Sequence, residues 1–220
     1  MARLLFEKMG NAIWISHLDL MRLFQQAFQR AGLHLKHSQG FNPRPMDSIA
    51  LPMSVGVESC CELLDFDLED QSALSHEEIC AKLNATLVSG VKVLSVYEPA
   101  RKVKEISRMR CRVQLEYDNG IDPVGLQAIK DIFNQEQLLV EKKGKNGPSQ
   151  QDIIPLLSEL QVACHDGHVV MLDAVVCAQN PALNPMLLAS AVERYLPNMR
   201  PNFSKCKRIE VYDFNGNVFR

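Results

Sequence analysis

The order of hydrophobic patterns along the chain occurs twice, and this repetition restricts the possible folds more than any single motif does. Over residues 1–99, apolar residues that alternate or recur at three- and four-residue spacing predict strand, helix, strand, strand, helix, strand. The same order is predicted over residues 108–220, with an insertion around residues 142–157. This βαββαβ order is typical of a ferredoxin-like unit. We therefore predict an α+β protein of two tandem ferredoxin-like domains, joined by a linker over residues 99–107.

An amphipathic helix with a strong start signal opens the most informative stretch, residues 15–59. Ser16 and Asp19 have the S-x-x-D spacing of a capping box, and Asp19 also suits the positive end of the helix dipole. Apolar residues then recur at helical spacing until Gly32, while glutamines and arginines occupy the other positions. The pattern predicts one buried face and one solvated face.

A loop rich in glycine and proline follows the helix, with the sequence SQGFNPRP over residues 38–45. Gly40 permits backbone angles that other residues avoid, and Pro43 and Pro45 fix their own φ. Because Arg44 lies between the two prolines, it would lose little conformational entropy when it binds an anion. We therefore predict a rigid loop whose polar side chains are positioned for binding.

Two histidines in this stretch are the candidate catalytic residues. His17 lies in the first helical turn, where the dipole disfavours a protonated imidazole, and His37 lies just before the loop. The side chains predicted to bind substrate are Asp19, Lys36, Gln39, Asn42 and Arg44. The alternative is that these groups only satisfy one another in an ordered connection.

The stretch SHLDLMRLFQQAFQRAGLHLKHSQGFNPRPMDSIALPMSVGVES closely resembles the start of the radical-SAM-linked protein family, a bacterial family of unassigned function. A weaker resemblance continues through VEKKGKNGPSQQDIIPLL and KRIEVYDF, so that it covers most of the 220 residues. The family usually has Arg where this chain has Ile154. The resemblance implies an accessory role beside a radical SAM enzyme, which would carry the iron–sulfur cluster and S-adenosylmethionine, with RNA as the favoured substrate.

The seven cysteines show whether this chain could itself hold an iron–sulfur cluster or a metal ion. They are odd in number and scattered, as expected for reduced thiols in the cytoplasm. No C-x-x-x-C-x-x-C spacing occurs, so this chain is not itself the radical SAM enzyme, and we predict no metal or cofactor in it. Cys164 and His168 would need further ligands for zinc, and Asp166-Gly167 between them predicts a hairpin turn.

No apolar run is long enough to span a membrane, so no membrane association is expected.

A row of arginines marks the first strand of the second domain. Arginines at alternate positions share one face of a strand, and three adjacent cations favour an anionic partner. The residues predicted to bind nucleic acid are Arg108, Arg110, Arg112, Lys142, Lys143 and Lys145. The alternative is an edge strand that positive charge protects from aggregation. A net charge of −2 weakens the nucleic-acid interpretation, since dedicated RNA-binding domains are usually basic.

Three functions remain open at this stage. The preferred hypothesis is a substrate-binding partner of a radical SAM enzyme that acts on RNA. The first alternative is a metal-independent ribonuclease in which His17 and His37 are acid and base and Arg44 stabilises the phosphate charge. The second is a protein–protein adaptor that uses the acidic segment 58–78.

Overall fold

The computed structural model, which describes residues 1–70, 74–144 and 147–220, shows an α+β fold with four α-helices and mainly antiparallel β-sheet. The chain divides into two units, Met1–Glu105 with Arg220, and Ile106–Phe219. The longest described helix has 14 residues. None of the described helices is both long enough and apolar enough to cross a membrane.

The first unit has the element order βαββαβ. Its elements are β1 (Ala2–Lys8), α1 (His17–Arg30), β2 (Asp47–Ala50), β3 (Val57–Phe66), α2 (His76–Asn84) and β4 (Val91–Tyr97). Strand β1 pairs with β3 on one side and β4 on the other, and β2 pairs with the end of β3. The strand order is therefore β4–β1–β3–β2, with every neighbouring pair antiparallel.

The start of α1 agrees with the prediction except in one contact. Ser16 is the N-cap, and its Oγ accepts a hydrogen bond of 3.2 Å from the backbone N–H of Asp19. A complete capping box would have the Asp19 carboxylate accept from the backbone N–H of Ser16. Instead, that carboxylate accepts from the Ser16 hydroxyl at 2.7 Å. The predicted helix start is confirmed, and the hydroxyl serves both as acceptor and as donor.

The apolar face of α1 packs against the sheet. The ring of Phe24 meets that of Phe6 on β1 at 4.7 Å between centroids, and Phe28 meets Phe66 on β3 at 4.9 Å. All four rings are almost fully buried. Because the helix repeats every 3.6 residues, burial of this face leaves the glutamine-rich positions at its sides and outer face.

Strand β2 is shorter than the sequence suggested. From the sequence we predict a strand over residues 48–55, but β2 ends at Ala50. The next residue, Leu51, has a φ of 45°, which an extended strand does not allow, and Pro52 follows it. Residues 51–56 therefore form an irregular connection to β3.

The second unit repeats the order with one addition. Its elements are β5 (Arg108–Glu116), α3 (Pro123–Phe133), β6 (Leu139–Gly144), β7 (Gly147–Asp152), β8 (Leu157–His165), β9 (Val169–Cys177), α4 (Met186–Tyr195) and β10 (Phe203–Tyr212). Strands β10, β5, β9 and β8 lie side by side in that order. The predicted hairpin turn between β8 and β9 is confirmed, with positive φ at Asp166 and Gly167.

The insertion in the second unit is a separate hairpin of β6 and β7. From the sequence we predict a strand over residues 137–143 followed by a lysine-bearing loop, and this prediction misses the second strand. Strand β7 reads GPSQQD, which contains no apolar residue and no β-branched residue. Its extended conformation depends on pairing with β6, which the local sequence does not indicate.

Candidate functional site

A groove of about 460 Å³ in the first unit brings one of the two candidate histidines beside α1. Its lining consists of Arg22, Gln25, Gln26, Phe28 and Gln29 from α1, with Leu33, His34, Leu35, His37, Pro45 and Glu69 from neighbouring segments. The apolar side chains in this set are buried or half-buried, whereas the polar ones are half-buried or exposed. The groove thus presents mainly amide, imidazole and charged groups, with the apolar side chains buried beneath them.

A short hairpin over residues 36–46, called the 36–46 hairpin below, carries the predicted binding loop. At its base, the N–H of Met46 donates to the carbonyl of Lys36 at 2.7 Å. Near its tip, the N–H of Ser38 donates to the carbonyl of Arg44 at 2.8 Å, and the Ser38 hydroxyl accepts from the N–H of Arg44 at 3.0 Å. The loop between Ser38 and Arg44 is therefore closed by its own backbone, as the glycine and prolines led us to expect.

The base of the hairpin is attached to the rest of the unit. The N–H of Lys36 donates to the carbonyl of Asp67 at 2.9 Å, and the N–H of Asp67 donates to the carbonyl of Met46 at 3.0 Å. Leu35 pairs with Leu68 in an isolated β-bridge, and both side chains are buried. These contacts hold the hairpin in place and leave its tip in solvent.

The tip presents one fully exposed aromatic ring, that of Phe41. The side chains of Gln39, Asn42 and Arg44 in the loop, and of Lys36 at the base of the hairpin, are exposed as well. Within the described part of the chain, none of these four side chains forms a hydrogen bond or an ion pair. They are consequently available to a ligand, and the ring of Phe41 is available to a stacking partner.

A carboxylate at the start of β2 connects the groove to the sheet. The Nε2 of Gln25 donates to both oxygens of Asp47, at 3.1 and 3.3 Å. Burial raises the pKa of the Asp47 carboxyl, and the hydrogen bond from Gln25 and the nearby charge of His37 partly oppose that rise. Asp47, which the sequence analysis did not select, therefore contacts one lining residue and lies near another.

The structure brings some of the predicted residues together and separates others. His37 lines the groove, but His17 does not. Eight residues separate His17 from Gln25 along α1, which corresponds to about 12 Å at 1.5 Å per residue. Asp19 accepts from Ser16 and forms an ion pair of 3.0 Å with Arg22, and both contacts lower the pKa of its carboxyl.

The second histidine of the groove is His34, which the sequence analysis missed. It lies between two buried leucines, Leu33 and Leu35, so its side chain is directed away from them. The alternation LHLKH over residues 33–37 could have revealed that residues 34 and 36 are exposed.

The arginine row on β5 is compensated by acidic side chains of the same unit. Arg112 makes a bidentate contact with Asp173 at 2.8 and 3.2 Å, and Arg110 contacts Glu159 at 3.1 Å. Arg108 donates to the Sγ of Cys177 at 3.2 Å. Since β5 pairs with β9 and with β10, it is not an edge strand, and the edge-protection alternative is wrong.

The predicted lysine extension of this row is only partly described. Lys142 is half-buried in β6. The side chain of Lys143 and all of Lys145 lie outside the described residues.

Among the described residues, the acidic side chains of segment 58–78, and Asp47 before it, do not form one continuous acidic face. Asp65 makes a bidentate ion pair with the buried Arg3, at 2.5 and 2.9 Å, and Asp67 contacts the terminal ammonium of Met1 at 2.6 Å. Glu62 is buried, and Asp47 bonds to Gln25. The acidic side chains of this stretch that are exposed are Glu69, Asp70, Glu77 and Glu78.

Two further features are weaker candidates for a site. A larger open cavity, of about 780 Å³, lies at the start of α3 in the second unit, but none of the predicted residues lines it. Its helix N-terminus is occupied by Asp122, whose carboxylate accepts from the N–H of Gly125 at 2.7 Å. Among the described residues, no group of three or more His, Cys, Asp or Glu side chains is arranged to hold a metal ion.

A family model agrees with the larger part of this chain. The model described as "Uncharacterized protein conserved in bacteria (DUF2344)" matches residues 2–185. No curated protein is similar enough to match the chain. Among solved structures, a crystal structure of an unknown protein from Galdieria sulphuraria matches 94% of this chain and 96% of its own chain, with 11% identity and a TM-score of 0.27.

We expect the free energy of unfolding to depend on pH through the carboxyl of Asp47, because burial raises its pKa. A carboxyl whose pKa is raised by folding destabilises the folded state when it is ionised. Its contribution to the free energy of unfolding therefore falls as the pH rises from the pKa of the unfolded chain to the higher pKa of the folded protein. An asparagine side chain in its place cannot ionise. The free energy of unfolding of the wild type minus that of Asp47→Asn should therefore decrease as the pH rises above about 4, the usual pKa of an aspartate side chain. Urea denaturation at a series of pH values measures this difference, and a difference that is constant or rises with pH would contradict it.

Proposed function

This chain belongs to the DUF2344 family of bacterial proteins, and we propose that it is a cytoplasmic, substrate-binding partner of a radical SAM enzyme and that its substrate is RNA. The partner would supply the iron–sulfur cluster and S-adenosylmethionine. Support for the partnership comes from the resemblance over residues 16–59. That same stretch forms α1 and the 36–46 hairpin, and thus most of the groove.

We also propose that each unit is ferredoxin-like. The strand orders β4–β1–β3–β2 and β10–β5–β9–β8 correspond position by position once the β6–β7 hairpin is set aside. Each unit also has its two helices at the same places in the element order. These are the features of a βαββαβ unit.

The observation that supports RNA most directly is the composition of the hairpin tip. Phe41 exposes its whole ring to solvent, and the same hairpin carries the uncompensated cations of Lys36 at its base and Arg44 near its tip. An exposed apolar ring gains nothing from folding, whereas stacking of a base on an aromatic side chain contributes about 1–3 kcal/mol. A ring for a base and cations for phosphates are the two parts that single-strand recognition uses.

The groove suits an unpaired base better than a duplex. It is about 460 Å³ in volume, which lies in the range of small-molecule sites, about 300–1,000 Å³. Phe28, Leu33 and Leu35 are buried beneath it, and its walls carry amides and imidazoles that can bond to a base edge. A single-stranded RNA with one base in the groove and another on Phe41 would use both features.

The first unit is the better candidate for the RNA contact. The cations of the 36–46 hairpin have no acidic partner among the described residues, whereas Arg110 and Arg112 on β5 lie against Glu159 and Asp173. Acidic neighbours reduce the attraction of the β5 row for phosphate. RNA binding by the β5 row, Arg108, Arg110 and Arg112, remains a prediction. The salt dependence of RNA binding can distinguish it from binding by the hairpin cations.

A ribonuclease is the second candidate, because two imidazoles line one groove. His34 and His37 are both lining residues, and general acid–base cleavage of RNA needs two groups on the same bound strand. His34 would act with His37, because His17 does not line the groove. Incubation with single-stranded RNA in EDTA distinguishes the two functions, since a binder leaves the strand intact and a nuclease shortens it.

We expect Phe41→Ala and Arg44→Ala each to weaken RNA binding without loss of stability. The first removes a stacking surface worth about 1–3 kcal/mol, and the second a charge-assisted contact worth about 1.5–3 kcal/mol. Fluorescence anisotropy with a labelled single-stranded RNA of mixed sequence measures the affinity, and thermal unfolding checks the fold. Phe214→Ala, another exposed phenylalanine, and Arg194→Ala in the second unit are the matched controls. If both hairpin variants bind as well as the wild type, the hairpin is only structural.

The salt dependence of binding should identify which cations meet the phosphates. Changing Arg108, Arg110 and Arg112 together to Gln should leave the slope of log affinity against log salt almost unchanged, because RNA lies on the first unit. The same measurement on a Lys36→Gln and Arg44→Gln double variant should flatten the slope by about 1 to 2 units, one for each cation removed from a phosphate. A flattening of about 2 to 3 units in the β5 variant would instead assign the RNA backbone to that strand.

The partnership itself predicts co-purification. A tagged full-length chain should retain, from a bacterial lysate treated with ribonuclease, a protein with a C-x-x-x-C-x-x-C motif and an iron–sulfur absorption spectrum. Ribonuclease treatment excludes partners held only through a shared RNA. If the chain retains only proteins without that motif, and ignores RNA, the adaptor alternative takes first place.

A further inference from the structure

Strand β8 leaves one backbone edge of the second unit open. It pairs with β9 on one side, and within residues 1–70, 74–144 and 147–220 no other strand pairs with it. All nine of its residues, Leu157–His165, are exposed or half-buried. An unpaired edge presents a row of backbone N–H and C=O groups that can bond to another strand. The sheet of the second unit can therefore be extended by a strand added at β8.

The features that usually protect an edge strand from pairing are few in β8. Such strands are commonly short, carry lysine or proline, or contain a bulge. The sequence of β8 has no Lys, Arg or Pro, and the register shift in its pairing with β9 lies near one end, between Leu157 and Glu159. By contrast β4, which pairs with β1 alone among the described strands, carries the exposed Lys92. From Glu159 to His165 the edge of β8 is uninterrupted.

The side chains of this uninterrupted segment differ between the two faces of the strand. Those on one face are half-buried and apolar, namely Leu160, Val162 and Cys164. Those on the other face are exposed, namely Glu159, Gln161, Ala163 and His165. A strand added at the edge would remove more of the apolar face from water, which is favourable. The polar groups of the exposed face then determine which strand fits.

We propose that β8 pairs antiparallel with β8 of a second copy of this chain, about a two-fold axis that passes through Val162. Val162 then lies opposite Val162 of the second copy, and Leu160 lies opposite Cys164, so apolar side chains meet on the half-buried face. On the exposed face, Glu159 lies opposite His165 at each end of the paired segment. A carboxylate thus meets an imidazole twice, because the contact is symmetric.

Charge complementarity and the regular part of the strand both favour this register. An axis at Gln161 would set Glu159 opposite Ala163, and an axis at Ala163 would leave Glu159 beyond the end of the added strand. An axis at Val162 gives the carboxylate a basic partner and uses the whole segment from Glu159 to His165. The ion pair of Glu159 with Arg110 involves Oε2 at 3.1 Å, so its other oxygen can accept from the second copy. The edge is therefore complementary to itself, as a two-fold contact requires.

Sedimentation equilibrium of the full chain over a range of concentrations tests the pairing and its register. The wild type should form a dimer reversibly. His165→Glu sets two carboxylates against each other twice, so it should raise the dissociation constant of the dimer by about tenfold or more. The double variant Glu159→Lys with His165→Glu exchanges the charges and should return the constant to within about threefold of the wild type. Ser149→Glu adds the same charge at an exposed position of β7 and should change nothing.

A cross-link through a native cysteine tests the same register without a change of charge. Residues opposite each other in an antiparallel pair have Cα atoms about 4.5–5.5 Å apart, a distance that a disulfide spans. Leu160→Cys should therefore form a disulfide with Cys164 of the second copy in oxidised glutathione, seen as a dimer on a non-reducing gel. Within one chain the two positions are about 13 Å apart along the strand and cannot be joined. Leu160→Cys with Cys164→Ser, and the wild type, should give no such dimer.

The outcomes decide the inference independently of RNA binding. A chain that stays monomeric at every concentration overturns it and leaves the β8 edge to a strand of another protein. A dimer that His165→Glu does not weaken, and that Leu160→Cys does not cross-link, also overturns it, because the two copies then meet elsewhere. If His165→Glu does not fold, the disulfide alone decides between the two results.

Discussion

Burial of the apolar face of α1 is the constraint on which the candidate site depends. Phe24 and Phe28 pack on Phe6 and Phe66 with their rings almost fully buried, and replacing such a ring by alanine typically costs about 3–5 kcal/mol. Because a helix has a fixed period, this packing determines which positions of α1 can line the groove. The glutamines are therefore held in place by phenylalanines that are buried in the core.

The 36–46 hairpin extends this arrangement beyond the helix. Its base is joined through the backbone to Asp67, which follows directly after β3, and the neighbouring Leu35 and Leu68 are buried. Its tip is closed by the pair Ser38 and Arg44 and projects an aromatic ring into water. A rigid support for exposed groups reduces the entropy lost on binding. The first unit thus has an anchored base and a solvent-exposed tip, an arrangement that fits a binding role.

The second unit uses its charges differently. The sequence shows three arginines in alternate positions, and the tertiary structure supplies acids on β8 and β9 for two of them. Exposed ion pairs of this kind contribute little to stability, but they remove the excess positive potential that would attract a nucleic acid. In the first unit, acids of the stretch before α2 are likewise used internally, by Arg3 and by the terminal ammonium. Charge clusters in the sequence therefore overstate the charge clusters on the surface.

Local physics explains what the sequence determined alone. Helical period and the Ser16 cap located α1, the glycine–proline pattern located the closed loop over 38–44, and Asp166-Gly167 located a hairpin turn. Each of these depends on residues within a few positions of one another.

The tertiary structure decided the contacts that depend on distant partners. These are the pairing of the polar strand β7 with β6, the contact of Gln25 with Asp47, and the acids opposite Arg110 and Arg112 on β5, which lie 49 and 61 residues away in the sequence. It also made His34, rather than His17, the neighbour of His37 in the groove. Such partners are chosen by strand register and helix packing, which bring together side chains whose separation in the sequence carries no periodic signal.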